Sequence, residues 1–125
     1  MKKLSEYVAE AKQTVDEVSP PETQKLAESG EWLILDVREP DEFAEGHIPG
    51  AINISRGFLE VKADENHHKR DERLQDRNQK IICYCAGGIR SLLAAKTLLE
   101  MGFDEVISME EGWSGWTNRG LPIEI

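Results

Sequence analysis

The chain has 125 residues, of which 39% are hydrophobic and 31% charged, a size and composition typical of one domain that folds on its own. Its 24 acidic and 15 basic residues give a formal net charge of −9, which repels phosphate backbones and anionic lipid headgroups. Nucleic acid and membrane partners are therefore not expected, and no apolar run is long enough to span a bilayer.

The N-terminal segment predicts an amphipathic helix over Leu4–Val18, because apolar residues recur at helical spacing at Leu4, Val8, Ala11 and Val15. We interpret residues 1–18 as an N-terminal helical extension and residues 19–125 as the domain proper. Met1–Lys12 alternates charged and apolar side chains where a signal peptide has a continuous apolar stretch. A cytoplasmic location is therefore expected.

The next elements alternate between helix and strand. Ser19-Pro20-Pro21-Glu22 carries the signals of a helix start, and the helix is predicted to end at Gly30. A third helix is predicted over Ser91–Met101, before the glycine at position 102. Short apolar runs predict four strands, at Trp32–Val37, Ala51–Ile54, Lys80–Tyr84 and Glu105–Ser108. This order predicts an α/β fold with a central, mostly parallel sheet flanked by helices on both faces.

The segment Asp64–Asn78 is rich in charges and has one large apolar residue, Leu74, so it predicts a solvated helix or loop. His67 and His68 lie within it, but neighbouring residues on a helix do not face one site, and no metal is expected there. Cys83 and Cys85 are too close in sequence for an ordinary structural disulfide and do not have the spacing of a zinc site. We expect two free thiols.

The segment Cys85-Ala86-Gly87-Gly88-Ile89-Arg90-Ser91 lies where a buried strand ends and an apolar helix begins. A loop that leads into a helix can direct backbone N–H groups at an anion, and the paired glycines permit the conformations that this requires. Such a loop, with Arg90 nearby, favours the thiolate of Cys85 over the thiol and makes it a nucleophile. On spacing alone, a buried thiol beside an ordinary turn is about as probable.

Three ordered motifs carry a resemblance to a known family. Cys85 to Ser91 is similar to the Cys-x-x-Gly-x-Arg-Ser active-site loop of rhodanese-like domains. The N-terminal and C-terminal signatures of that family resemble two further sets of residues: Leu35–Arg38 with Glu42-Phe43 and Gly46–Asn53, and Gly112-Trp113 with Trp116 and Leu121-Pro122. The resemblance covers Ser19–Ile125.

The resemblance implies a sulfurtransferase. Cys85 would take sulfane sulfur from thiosulfate or a persulfide, as a small anionic donor, and pass it to cyanide, a thiol or a protein acceptor. Substrate would contact the rest of the loop, namely Ala86, Gly87, Gly88, Ile89, Arg90 and Ser91. Neither a metal nor an organic cofactor is implied.

Other residues of these motifs are expected to support the site. Asp36 and Arg38 are interpreted mainly as scaffold that ties loops together, and His47 as part of a structural turn. Trp113 and Trp116 are expected to anchor a helix by packing. One position departs from the family pattern: Glu111 stands where many members have the first of two glycines.

Two alternatives stay open. The domain could be a persulfide carrier or an interaction module without significant thiosulfate turnover. It could also have phosphatase-like activity, because similar domains occur in dual-specificity cell-cycle phosphatases. Their active-site loop is one residue longer, so the shorter loop from Cys85 to Arg90 favours sulfur over phosphorus.

Overall fold

The computed structural model describes all 125 residues and contains one parallel sheet. Its five strands are β1 (Glu17–Val18), β2 (Trp32–Asp36), β3 (Ile52–Asn53), β4 (Lys80–Tyr84) and β5 (Val106–Met109). They lie in the spatial order β1-β5-β4-β2-β3, and every neighbouring pair is parallel. The predicted α/β fold is confirmed.

Six helices flank the sheet: α1 (Leu4–Thr14), α2 (Pro20–Glu28), α3 (Pro40–Glu45), α4 (Leu59–Ala63), α5 (Ile89–Glu100) and α6 (Gly112–Asn118). Two short 3₁₀ turns lie at Arg56–Phe58 and Glu72–Leu74. None of the helices combines the length and hydropathy that a membrane-spanning helix needs.

Side chains of β4 alternate between two hydrophobic clusters, one on each face of the sheet. Ile81, Cys83 and the following Cys85 belong to the larger cluster, which α1, α4 and α5 cover. Ile82 and Tyr84 belong to the smaller cluster on the opposite face, with α2 and α6. The period of two along a strand therefore places Cys85 on the α5 side, where the next helix begins.

The N-terminal segment differs from its prediction. The helix predicted over Leu4–Val18 ends at Thr14, and Glu17–Val18 forms a strand beside β5. The backbone carbonyls of Asp16 and Val18 accept the N–H groups of Ser108 and Glu110 at 3.0 and 2.9 Å. Because pairing with the sheet satisfies backbone groups over a buried core, it overrides the helical periodicity of this short stretch.

The charged segment Asp64–Asn78 forms irregular structure around one 3₁₀ turn, and its single large apolar side chain, Leu74, is buried. Arg77 fixes the segment to the body of the domain by donating to the carbonyls of Met101 and Ala63 at 3.0 and 2.7 Å. The segment is thus solvated but held in place at its C-terminal end.

Candidate active site

The sulfur atom of Cys85 lies at the start of α5. The backbone N–H groups of Gly88 and Ser91 donate to Cys85 Sγ at 3.1 and 3.4 Å. Gly88 has a φ of +109°, a conformation that glycine adopts without strain, and it is the residue that caps the helix. The loop therefore folds back on the sulfur and leaves Cys85 only 1% exposed.

Four further N–H groups of the same loop have no acceptor within the protein: those of Ala86, Gly87, Ile89 and Arg90. Two of them belong to the first turn of α5, where N–H groups lack intrahelical partners and the helix dipole is positive. A loop with this many free donors has the donor pattern of backbone sites that bind anions. Of the predicted loop residues, Gly88 and Ser91 contact Cys85 Sγ, whereas the Arg90 side chain pairs with Glu42 and the Ile89 side chain is exposed.

Helix α6 fixes the orientation of the loop. Trp113 donates its backbone N–H to the Cys85 carbonyl at 2.7 Å, and Ser114 donates to the Ala86 carbonyl at 3.2 Å. A Cβ atom at Gly112 would lie 2.4 Å from the Cys85 oxygen and 2.6 Å from the Ala86 oxygen. Glycine is required here because the start of α6 touches the loop backbone, and these contacts fix where the two carbonyls point.

One buried serine lies beside the sulfur, and a second buried serine contacts the first. Ser91 Oγ is 3.5 Å from Cys85 Sγ and 3.2 Å from the Gly88 carbonyl, which it can reach as a donor. Ser108 of β5 places its hydroxyl 2.9 Å from Ser91 Oγ. Both serine residues are fully buried.

Arg90 points to a carboxylate on another element. Its guanidinium donates to the two oxygens of Glu42 in α3 at 2.9 and 3.2 Å. The hydrogen bonds with Arg90 lower the pKa of Glu42 to about 2. Glu42 thus partly neutralises the positive charge of Arg90, which the sequence suggested would act on the thiolate and the substrate.

This ion pair makes stability depend on pH in a defined window. Since the pKa of Glu42 is about 2 in the folded chain and ordinarily 4.5, its ionised form stabilises the fold above about 4.5, and this contribution is lost as the pH falls toward 2. We expect Glu42→Gln to lower the free energy of unfolding at neutral pH. The difference from the wild type should shrink in acid.

Urea unfolding of both proteins from neutral pH down to about 3 measures this difference. Glu45→Gln is the matched control, because Glu45 is exposed on the same helix and forms no ion pair. A difference between Glu42→Gln and the wild type that stays constant over this range would contradict the assignment.

Asp36 and Arg38 form a buried ion pair with each other at the end of β2. The shortest contact joins Arg38 Nη2 and Asp36 Oδ2 at 2.7 Å, and Arg38 also donates to the Gly46 carbonyl at 2.8 Å. Its guanidinium lies 4.9 Å from the ring of Trp113. Burial opposes the charge of Arg38, but Asp36 outweighs it and the pKa of Arg38 is raised. These contacts connect β2 to the loop before β3 and to α6.

Three other residues of the sequence motifs contact neighbouring helices or the C-terminal segment. His47 stacks on Phe43 and places Nε2 3.1 Å from Glu124 Oε1. Trp116 is buried and donates its indole N–H to the Pro122 carbonyl at 2.8 Å. Glu111 adopts a φ of +64° before α6 and pairs with Arg119 at 3.0 Å. They hold the C-terminal segment and α6 against the body of the domain.

Cys83 lies two residues before Cys85 on the same face of the sheet, but its surroundings differ. Burial raises the pKa of the Cys83 thiol, and the nearby sulfur of Cys85 raises it further. No backbone N–H donates to it, and its side chain packs within the larger hydrophobic cluster. Cys83 therefore lacks the N–H donors that contact the sulfur of Cys85.

Sequence reasoning missed two contributors to the site and understated a third. Glu42 and Ser108 lie 48 and 17 residues from the groups that they bind, so no local pattern indicates either contact. Gly112 appears in the C-terminal motif, but its approach to the Cys85 carbonyl depends on how α6 packs. The family signature was the available signal for Glu42 and Gly112, and nothing in the sequence indicates Ser108.

Comparison with known proteins shows three relevant similarities. A putative sulfur carrier protein of Bacillus subtilis, YrkF, is 33% identical over 95% of this chain, which spans 60% of the length of that protein. Thiosulfate sulfurtransferase GlpE of Actinobacillus pleuropneumoniae serotype 7 is 30% identical over 90% of this chain and 95% of its own length. A solved structure from Rhodopseudomonas palustris, described as a protein of unknown function and possible tyrosine phosphatase, superposes with a TM-score of 0.93.

That superposition covers 99% of this chain and 96% of the Rhodopseudomonas palustris chain, at 34% identity. It therefore includes the N-terminal helix as well as the sheet. The family model for the rhodanese-like domain matches residues 19–119, from the start of α2 to the end of α6. The chain belongs to the rhodanese-like domain family.

Proposed function

We propose that this protein is a sulfurtransferase that carries sulfane sulfur as a persulfide on Cys85. The observation that carries the proposal is the cradle: two N–H groups bind Cys85 Sγ, and four more N–H groups of the same loop are free. The sequence similarity to a thiosulfate sulfurtransferase and to a putative sulfur carrier protein supports the same chemistry.

In the first half of the reaction, the Cys85 thiolate attacks the outer sulfur of thiosulfate. A bond forms between Cys85 Sγ and that sulfur, the sulfur–sulfur bond of thiosulfate breaks, and sulfite leaves with the bonding electron pair. In the second half, cyanide or a thiolate attacks the outer sulfur of the persulfide. The products are thiocyanate or a new persulfide, and Cys85 leaves as the thiolate.

The loop can stabilise both the Cys85 thiolate and the anionic persulfide. In the resting state, the N–H groups of Gly88 and Ser91 stabilise the thiolate. Once sulfur is transferred, the negative charge lies on the outer sulfur, and the free N–H groups of Ala86, Gly87, Ile89 and Arg90 are its available donors. Attack by the thiolate form of Cys85 on a sulfane sulfur needs no general base.

The direct test is thiosulfate-dependent formation of thiocyanate from cyanide, together with intact-protein mass spectrometry after treatment with thiosulfate alone. We expect steady turnover and a protein mass increased by one sulfur atom. If no donor among thiosulfate, mercaptopyruvate and glutathione persulfide loads the protein, the proposal is wrong.

A carrier role is the second candidate, and the similarity to a putative sulfur carrier protein favours it. In this role Cys85 holds the persulfide for one dedicated protein acceptor, and free thiosulfate is a poor donor. The donor panel distinguishes the two: a carrier loads from a persulfide and retains sulfur in the presence of cyanide, whereas an enzyme turns over.

The similarity to a possible tyrosine phosphatase makes phosphate a necessary comparison. We expect hydrolysis of an aryl phosphate to be at least about a hundredfold slower than sulfur transfer from thiosulfate, because the short loop leaves too little room for a phosphoryl group. The two assays on one preparation give the ranking. Inserting one glycine after Gly87 is the companion experiment and should increase the hydrolysis of the aryl phosphate. If the wild type hydrolysed the aryl phosphate faster than it transferred sulfur from thiosulfate, a phosphatase would be favoured.

A further inference from the structure

The hydroxyl of Ser108 lies behind the active-site loop, on a strand that contributes no other group to the sulfur. Its only hydrogen bond joins Ser91 Oγ at 2.9 Å, and both residues are fully buried. Ser91 Oγ in turn lies within reach of two acceptors, the Gly88 carbonyl at 3.2 Å and Cys85 Sγ at 3.5 Å. The three side chains therefore form a chain from β5 to the reactive sulfur.

The direction of this hydrogen bond follows from counting donors. A serine hydroxyl has one proton and two lone pairs. If Ser91 donated to Ser108, the proton of Ser108 would have no acceptor in a buried site, which is costly to stability. Ser108 must therefore donate to Ser91 Oγ, so that the proton of Ser91 is left for Gly88 or Cys85.

Ser91 then has two arrangements that match the two charge states of the sulfur. When Cys85 is a thiol, its S–H donates to Ser91 Oγ and Ser91 donates to the Gly88 carbonyl. When Cys85 is a thiolate, Ser91 turns its proton to the sulfur. Because Ser108 already donates to Ser91 Oγ, it polarises the Ser91 hydroxyl and strengthens this bond.

We propose that Ser108 is a positioning residue for sulfur transfer, which acts through the hydroxyl of Ser91 to stabilise the Cys85 thiolate. The proposal rests on the proposed function, since the thiolate is the nucleophile of the first half-reaction and the leaving group of the second. Between these steps the charge lies on the outer sulfur, and the Ser91 hydroxyl again donates its hydrogen bond to the Gly88 carbonyl.

The charged and titratable groups on the elements around the loop have contacts that do not involve the Ser108 hydroxyl. These groups are Arg90 paired with Glu42, Asp36 paired with Arg38, Glu111 paired with Arg119, the Tyr84 hydroxyl that accepts from Ile48, and the buried thiol of Cys83. None of them bonds to Ser108. Removing the Ser108 hydroxyl therefore leaves their contacts unchanged.

The experiment measures the rate of Cys85 alkylation by iodoacetamide against pH in a Cys83→Ala background, so that one thiol reacts. We expect Ser108→Ala to raise the midpoint of the profile by about half a pH unit and Ser91→Ala to raise it by about one unit. The limiting rate at high pH should not fall. Ser108→Thr keeps a hydroxyl and should restore the wild-type midpoint.

Ser55→Ala is the control, because Ser55 is a largely buried serine, 8% exposed, whose side chain forms no hydrogen bond within the protein. Its midpoint should equal that of the wild type. A single-turnover transfer from the loaded protein to cyanide adds a second measurement: Ser108→Ala should slow it about twofold, because the leaving thiolate is less stable.

An unchanged midpoint in Ser108→Ala, with a shifted midpoint in Ser91→Ala, would overturn the role of Ser108. Equal shifts in Ser55→Ala and Ser108→Ala would show a general packing effect and would also overturn it. The alkylation profile needs no sulfur donor, so failure of the wild type to load sulfur would contradict the proposed function separately.

Discussion

Cys85→Ser should abolish sulfur loading from thiosulfate and reduce thiocyanate formation to the uncatalysed rate. A serine hydroxyl at this position is not ionised at neutral pH and is a poor nucleophile toward sulfane sulfur, so the cradle has no reactive atom to bind. Intact-protein mass spectrometry after thiosulfate treatment reports the loss directly. The unfolding transition should stay close to that of the wild type, since the two side chains are similar in size.

Cys83→Ala is the control for this experiment, because it removes the other thiol, which lies two residues earlier, in β4. We expect it to load sulfur as the wild type does and to lose about 1 kcal/mol of stability, since Cys83 packs within the larger hydrophobic cluster. A sulfur adduct that persists in Cys85→Ser, or one that disappears in Cys83→Ala, would move the site away from Cys85.

Gly112→Ala should reduce sulfur transfer by more than about tenfold. The added Cβ would lie 2.4 Å from the Cys85 carbonyl oxygen, so α6 and the loop cannot both keep their positions. The hydrogen bond from Trp113 to that carbonyl would lengthen or break, and the loop N–H groups would turn away from the sulfur. We also expect unfolding to become easier by about 1–3 kcal/mol.

Gly120→Ala is the control that separates the effect of this contact from the effect of backbone strain. Gly120 has a φ of +67°, close to the +55° of Gly112, but no atom lies within 4 Å of the position where its Cβ would be. Alanine is therefore strained at both positions and collides at only one. If the two variants lost sulfur transfer equally, the loop would not depend on its contact with α6.

The sheet could be predicted from the sequence because its central strands are continuous apolar runs. Lys80–Tyr84 forms β4 with the predicted bounds, and Trp32–Val37 was predicted one residue too long. The helix predicted over Leu4–Val18 fails at its end, where the partner strand decides the structure. The division of the chain after residue 18 stays a prediction, although Ala11 shares the larger cluster with the rest of the domain.

The site was predictable only where it is local. The loop from Cys85 to Ser91 is continuous in sequence, and its glycines, its position after a strand and its family resemblance all indicate an anion cradle. Contacts between distant segments were not predictable. The pairing of Arg90 with Glu42 and the approach of Ser108 to the loop depend on strand order and helix packing, which no short window of sequence encodes.

Both edges of the sheet are formed by strands of only two residues, β1 (Glu17–Val18) and β3 (Ile52–Asn53). Such short edges offer no row of free backbone groups with which a strand from another chain could pair. Under the proposed function, we therefore expect a protein acceptor of the persulfide to bind through side chains around the loop and not by extending this sheet. Acceptor choice would then change through surface substitutions without altering the fold.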